Sequence, residues 1–236
     1  MKLNILILIL IPWMANSQLD RVNACLILGP NISWIGTDDN TIKTENNRLG
    51  FKIQVQGEYL LNERYSLTGG LGLSLIQGGK LKYAQGGNLW SESKLSIPNG
   101  DSLSNGVILG YKVNYMEIPI GFKMRTSQYG KYRFYAQLPE FSLGIRLRAR
   151  GDILEVNGLN SSNENIKSQI LFLTFNWGLG IGTEYQIKDN LNLILGVRYM
   201  QSLLDVTDDS GRYFDGSKQN SNDRINNLDF RIGLIF

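Results

Sequence analysis

The sequence predicts an all-β chain, an eight-stranded antiparallel transmembrane up-and-down β-barrel with short turns at one end and long loops at the other. Three observations predict it. Apolar residues recur with a period of two in one segment after another, which is the repeat of a strand with one face in an apolar medium. The connections alternate between tight and long. Among the 236 residues, Gly is 26, Pro 5, Cys 1 and His 0, a composition that supports strands and excludes much chemistry.

The elements follow in chain order. Met1-Lys2, an apolar run from Leu3 to Met14 and the small residues Ala15-Asn16-Ser17 have the layout of a secretory signal peptide, so 1–17 is expected to be cleaved before Gln18. The run is too short to span a bilayer as a helix, which takes about 20 residues. Eight strand-like segments are expected at 22–35, 49–60, 64–77, 111–124, 131–149, 170–186, 190–203 and 225–236, making 18–236 one barrel domain. In the second, Leu49, Phe51, Ile53 and Val55 alternate with Lys52, Gln54 and Gln56. In the sixth, Leu173, Phe175, Trp177, Leu179 and Ile181 alternate with Thr174, Asn176, Gly178, Gly180 and Gly182. The glycines are expected to make room for large inward neighbours. The last sets Leu228, Phe230, Ile232, Leu234 and Phe236 against Asp229, Arg231 and Gly233.

Two segments break phase. The fifth is apolar at Tyr132, Phe134, Ala136 and Leu138, then at Phe141, Leu143, Ile145 and Leu147, so a bulge is expected at Pro139. In the fourth, Tyr111 and Val113 are out of phase with Met116, Ile118 and Ile120, which suggests an irregularity near Tyr115. Tight turns are expected at 61–63, 125–130 and 187–189, and long polar loops at 36–48, 78–110, 150–169 and 204–224.

Why a membrane barrel? Lipid leaves backbone polar groups unsatisfied, so a spanning sheet has to close on itself. Each segment reaches the roughly 9–11 tilted residues that a spanning strand needs. An even strand number places both termini on the periplasmic side and the long loops outside. Tyr59, Tyr65, Tyr132 and Tyr185 fall where an interfacial girdle would sit. The soluble alternative, a lipocalin-like small-molecule binder, would carry its apolar face inward. Here the face expected in the lumen bears Glu58, Glu117, Lys123, Arg146, Arg148, Glu184, Arg198, Asp229 and Arg231, a poor lining for a greasy ligand.

A resemblance adds to this reading. Asn114-Tyr115-Met116-Glu117-Ile118-Pro119-Ile120 resembles the Tyr-Leu-Glu-Ile-Pro-Leu segment of the PorT-like "porin family" barrels of Bacteroidetes, and the Pro139 strand and the Phe-terminated last strand match in order. The resemblance implies an eight-stranded outer-membrane barrel, in a family with one branch in the type IX secretion and gliding apparatus. No motif places this chain in that branch.

Composition narrows function. Lys+Arg 24 against Asp+Glu 21 is too even for a nucleic-acid binder. Without His there is no Ser–His–acid triad, and one Cys excludes disulfides within the chain and Cys/His zinc sites. Paired carboxylates could hydrolyse sugars, but Glu58, Glu117, Glu140 and Glu184 are expected to neutralise lumen cations, including Lys52. The expected roles are therefore a structural lumen charge network (Glu58, Glu117, Lys123, Arg146, Glu184, Arg198, Asp229, Arg231) and a C-terminal insertion signal (Phe230, Phe236). No catalytic, cofactor-binding or metal-binding residue is expected. Cys25 reads as a small buried hydrophobe, and the acidic clusters Asp38-Asp39 and Asp208-Asp209 as solvated loop.

An interior just wide enough for side chains argues against an open pore. The sequence-level function is a non-enzymatic outer-membrane barrel interacting through its loops. The alternatives are an envelope-complex component or a narrow channel. Expected partners are outer-membrane lipid and lipopolysaccharide, the barrel-insertion machinery, and an envelope protein.

Overall fold

The computed structural model describes residues 21–96, 102–155 and 160–236; the expected cleaved leader lies outside them. Eight long strands make the barrel: β1 Val22–Gly36, β2 Ile42–Leu60, β3 Tyr65–Tyr83, β4 Ile108–Arg125, β5 Tyr132–Leu154, β6 Leu173–Lys188, β7 Leu191–Ser202 and β8 Arg224–Ile235. Every neighbouring pair is antiparallel. The wall closes where β1 meets β8, from Cys25 opposite Ile235 to Gly36 opposite Arg224. Closure leaves no barrel edge, which is what an apolar solvent demands. No described helix is long and apolar enough to cross a membrane; a β-barrel crosses with strands.

The faces are those of a membrane barrel and the reverse of a lipocalin. Leu49 is 74% exposed, Val55 59% and Ile120 61%, while Lys52, Gln54, Gln56 and Glu58 on alternate positions of β2 are buried. Tyr132 and Tyr185 sit 4.9 Å apart at the short-turn end, and Tyr65 stacks on Phe122 at 5.6 Å. There the β2–β3 turn is fixed by Asn62, whose side-chain oxygen accepts from the amides of Arg64 and Tyr65 at 2.9 Å each. Such a side-chain cap is why Asn is favoured in tight turns.

Four strands run past their expected ends on the loop side. β2 begins at Ile42, β3 continues to Tyr83, β4 begins at Ile108 and β5 continues to Leu154. The long loop expected at 36–48 is thus a short connection, 37–41, between two strands. Residues 43–47 escape the alternation rule because they stand in water, where a polar outer face is the stable one. The remaining long connections also carry structure. Gly87–Asn88 pairs with Arg212–Tyr213, linking the loop after β3 to the loop after β7, and Asn160–Asn165 adds a strand beside the top of β5.

The bulge at Pro139 is present: Gln137 pairs with Gly180 and Glu140 with Gly178, leaving an extra residue on β5. A second bulge follows at Leu147, where Arg146 faces Tyr115 and Arg148 faces Asn114. The irregularity expected within β4 is a different thing. β4 keeps every odd position inward from Leu109 to Arg125. The extra residues near Tyr115 belong to its neighbours, β3 between Ser74 and Gln77 and β5 at Leu147. What changes along β4 is the interior itself, apolar at Leu109, Tyr111, Val113 and Tyr115 and charged at Glu117, Lys123 and Arg125.

Candidate functional site

The barrel interior has two storeys. In the membrane-spanning part, most inward strand positions are polar or small; the apolar exceptions include Met200 and a group around Ile27, Tyr135 and Ile194. Ten ionised side chains meet there in two clusters, each electrically balanced.

Nearer the short turns, Lys123 and Arg125 on β4 face Glu58 on β2 and Glu184 on β6. Lys123 Nζ lies 2.5 Å from Glu184 and 3.4 Å from Glu58, while Arg125 reaches Glu58 at 2.5 Å and Glu184 at 2.8 Å. Ser66 donates to Glu58, and Lys123 Nζ stands 4.7 Å over the Tyr135 ring. Tyr135 fits because Gly182 faces it; a Cβ there would come within 2.6 Å of the ring. That meets the expectation for Gly182, and Gly178 meets it too, since a Cβ there would come within 2.5 Å of Met200 Sδ.

Deeper in, Lys52, Arg198 and Arg231 face Glu117, Glu140 and Asp229. Arg198 bridges Glu140 at 2.5 Å and Asp229 at 2.6 Å, and Lys52 bridges Glu117 and Asp229 at 3.3 Å each. Arg231 lies 3.7 Å from Glu140 and donates to Gln137 at 2.9 Å. Ser74 and Gln77 donate to Glu117 at 2.6 and 3.0 Å. Charges taken from water survive only when paired and hydrogen-bonded in this way.

Seven of the eight predicted network residues therefore come together: Glu58, Glu117, Lys123, Glu184, Arg198, Asp229 and Arg231. Arg146 does not. Arg146 keeps the inward parity of Glu140, Ser142 and Gly144, but it stands level with Tyr115 at the foot of the apolar cap, where it donates to the carbonyls of Lys167 and Ile170 instead of meeting a carboxylate; the Leu147 bulge that follows then shifts the phase of β5. Arg148, also read as inward, is exposed on the outer face. Arg125 was missed because it was assigned to a turn, although it shares the odd parity of Lys123. Cys25 is buried, with its thiol 4.0 Å from Glu58. Phe230 and Phe236 face outward.

Above the charged storey, toward the long loops, lies an apolar core. Tyr83, Tyr111, Leu109 and Val113 on the strands pack with Trp90, Leu103, Val206 and Ile170 from the loops. The polar atoms among them are matched: the Tyr83 and Tyr111 hydroxyls are 2.9 Å apart, Trp90 Nε1 donates to Tyr111 at 3.3 Å and Gln219 donates to Tyr83 at 3.3 Å. This core caps the lumen at its outer end.

At the rim of the cap, Asp205, Asp209 and Asp223 gather. Asp205 accepts from the amides of Thr207 and Asp223 at 3.0 and 3.1 Å. Burial, reinforced by Asp205, pushes the Asp209 carboxyl up to about 7 and helps raise Asp223 to about 6. Among the described residues no group of acids has the arrangement of a metal site.

Residues 15–208 match the family described as outer membrane protein beta-barrel domain. No curated protein matches the chain. Among solved structures, Neisserial surface protein A is 12% identical, with 91% of this chain and 95% of that one covered and a TM-score of 0.44. Ail, the attachment invasion locus protein of Yersinia pestis, in complex with the heparin analogue sucrose octasulfate, is 13% identical, covering 92% and 99% with a TM-score of 0.42. The outer membrane protease OmpT from Escherichia coli is 12% identical, covering 92% and 96% with a TM-score of 0.43.

Proposed function

The chain belongs to the outer membrane protein beta-barrel domain family, and on that premise we propose that it is a sealed, non-enzymatic barrel whose work is done by its outer surface and extracellular loops. One observation carries this reading: the lumen is stopped twice, by ion-paired side chains and by an apolar cap. Ions would have to pass Arg198, which is buried and held by two carboxylates, and then the Trp90–Tyr111 packing. Chemistry is equally discouraged. Glu58, Glu117, Glu140 and Glu184 are each engaged by cations, so none is free to act as a general acid or base.

What is left to interact is the outside. The cap braces the loops into one surface through the pairing of Gly87–Asn88 with Arg212–Tyr213, and it presents Phe214, 59% exposed, beside that junction. A large aromatic standing in water on a braced loop suits contact with a protein partner. An outer-membrane location and assembly by the barrel-insertion machinery, with Phe230 and Phe236 on its lipid side, go with this reading.

Planar-bilayer recording of the refolded chain tests it. We expect no steps above the bare membrane. Steady single-channel steps would overturn the sealed barrel in favour of a narrow channel.

A further inference from the structure

The outer face of the wall carries a feature that neither the sealed lumen nor the loops use. At the top of the apolar belt a groove of about 310 Å³ runs across β3, β4 and β5. Its lower side is Leu75 and Ile76, and Ile76 is 44% exposed on the lipid-facing surface. Its upper side is cationic, with Lys112, Arg148 and Arg150.

These cations are placed at a cost. Lys112 stands directly opposite Arg150, and farther up the same face Lys43 stands directly opposite Lys82. Like charges facing each other across a ladder destabilise a sheet. The local acids relieve only Lys112. Asp152 is already held by Arg48 at 2.6 Å and Lys112 at 2.8 Å. The Glu164 carboxylate is taken by the Ser96 and Ser161 hydroxyls. Among the described residues neither Arg148 nor Arg150 has a carboxylate within ion-pair reach, and Arg150 Nε is shielded from solvent without a hydrogen-bond partner. The Asn114 side-chain oxygen accepts from the Ile76 amide at 3.0 Å, so its amino group is left to donate into the groove.

We propose that this groove binds the phosphorylated sugar headgroup of a glycolipid in the outer leaflet. Two parts of the site match two parts of such a molecule. Leu75 and Ile76 meet acyl chains where the apolar belt ends. The guanidiniums of Arg148 and Arg150, a few ångströms higher, offer the planar paired donors that suit phosphate. Phosphate also removes the penalty of the Lys112–Arg150 pair. A soluble polyanion would use the cations and leave the apolar side without a partner.

The test titrates the full chain in detergent with a bisphosphorylated diglucosamine lipid, read by native mass spectrometry. Wild type is expected to retain the lipid. The double variant R148Q/R150Q, altered only on the outer face, should keep its heat-shifted gel band and bind roughly thirtyfold more weakly. The dephosphorylated lipid should bind as poorly to wild type, and inorganic phosphate at the same concentration should not displace the intact lipid. K43Q/K82Q, away from the apolar belt, should change binding less than about threefold. The assignment is overturned if R148Q/R150Q binds normally, if the dephosphorylated lipid binds as well, or if inorganic phosphate or a sulfated oligosaccharide competes equally. A K43Q/K82Q loss as large as that of R148Q/R150Q would also overturn it, since it would reduce the groove to diffuse surface charge.

Discussion

Within one continuous wall, the lower storey is built inside-out and the upper storey is built like a water-soluble protein. In the lower, Leu49, Phe51, Ile53 and Val55 face out while Lys52 and Glu58 are buried. In the upper, Lys43, Thr44 and Glu45 face water while Ile42, Leu81 and Tyr83 are buried. The backbone geometry is the same in both; the solvent differs. Strand pairing thus tolerates either assignment of faces, and the medium outside decides which is stable. β3 and β4 make the change by different means. β3 inserts a bulge between Ser74 and Gln77, so inward positions switch from even to odd. β4 keeps its parity and changes its inward residue types at Tyr115–Glu117.

The largest expected effect breaks the lower storey alone. Arg198→Met leaves Glu140 and Asp229 facing an uncharged side chain, and losing one member of a buried ion network costs about 3–5 kcal/mol. Urea unfolding in detergent should show a lower midpoint, and the compact band of unheated protein should weaken. Next comes the upper storey. Trp90→Ala removes a fully buried ring, at a cost of about 3 kcal/mol or more. Here the damage should stay local: protease should cut within 84–107 or 203–223 while the compact band survives. If both variants lose the band together, the two storeys fold as one unit and the comparison fails.

A smaller effect belongs to pH. Asp209, at about 7, and Asp223, at about 6, hold protons more tightly in the folded cap than in an unfolded chain. The folded state then binds more protons between about pH 4 and 7, so cap stability is greatest at the acid end and falls as pH rises through that window. Protease cutting of the 203–223 loop should be faster at pH 8 than at pH 5, and Asp209→Asn with Asp223→Asn should flatten the difference. Asp209 is partly exposed, so most of the change should come from buried Asp223, at about 3 kcal/mol or less. Least costly is Arg146→Ala. Outside the lumen clusters, it should lose about 1 kcal/mol for its bonds to the loop carbonyls, well short of Arg198→Met in the same urea assay.

Legibility in the sequence follows the same divide. Where lipid lies outside, alternation marks the strand, and β1, β6, β7 and β8 fall within a few residues of their expected bounds. Residues 42–48 and 78–83 carry mixed faces with single apolar positions, so they read as loop. Tyr111 and Val113 read as a fault in phase because the rule assumed apolar meant outward. Above the membrane, on that strand, apolar means inward. The charged site was readable from parity; Arg148 failed because the Leu147 bulge turns it outward, and Arg146, though in phase, stands where loop carbonyls and not carboxylates are in reach. Nothing in the local sequence announces the cap, whose members are spread from Ile35 to Ile225.

The continuity of β2–β5 with the cap also gives the molecule a direction. The polar outer faces around Lys43, Glu45 and Lys82 lie beyond the apolar belt, on the same side as the apolar core that closes above them. Once Trp90 and Tyr111 have packed, the route back would require dismantling that core and drawing those charges through lipid. The folded cap therefore acts as a stopper on the far side, adding to the apolar belt a second obstacle to withdrawal.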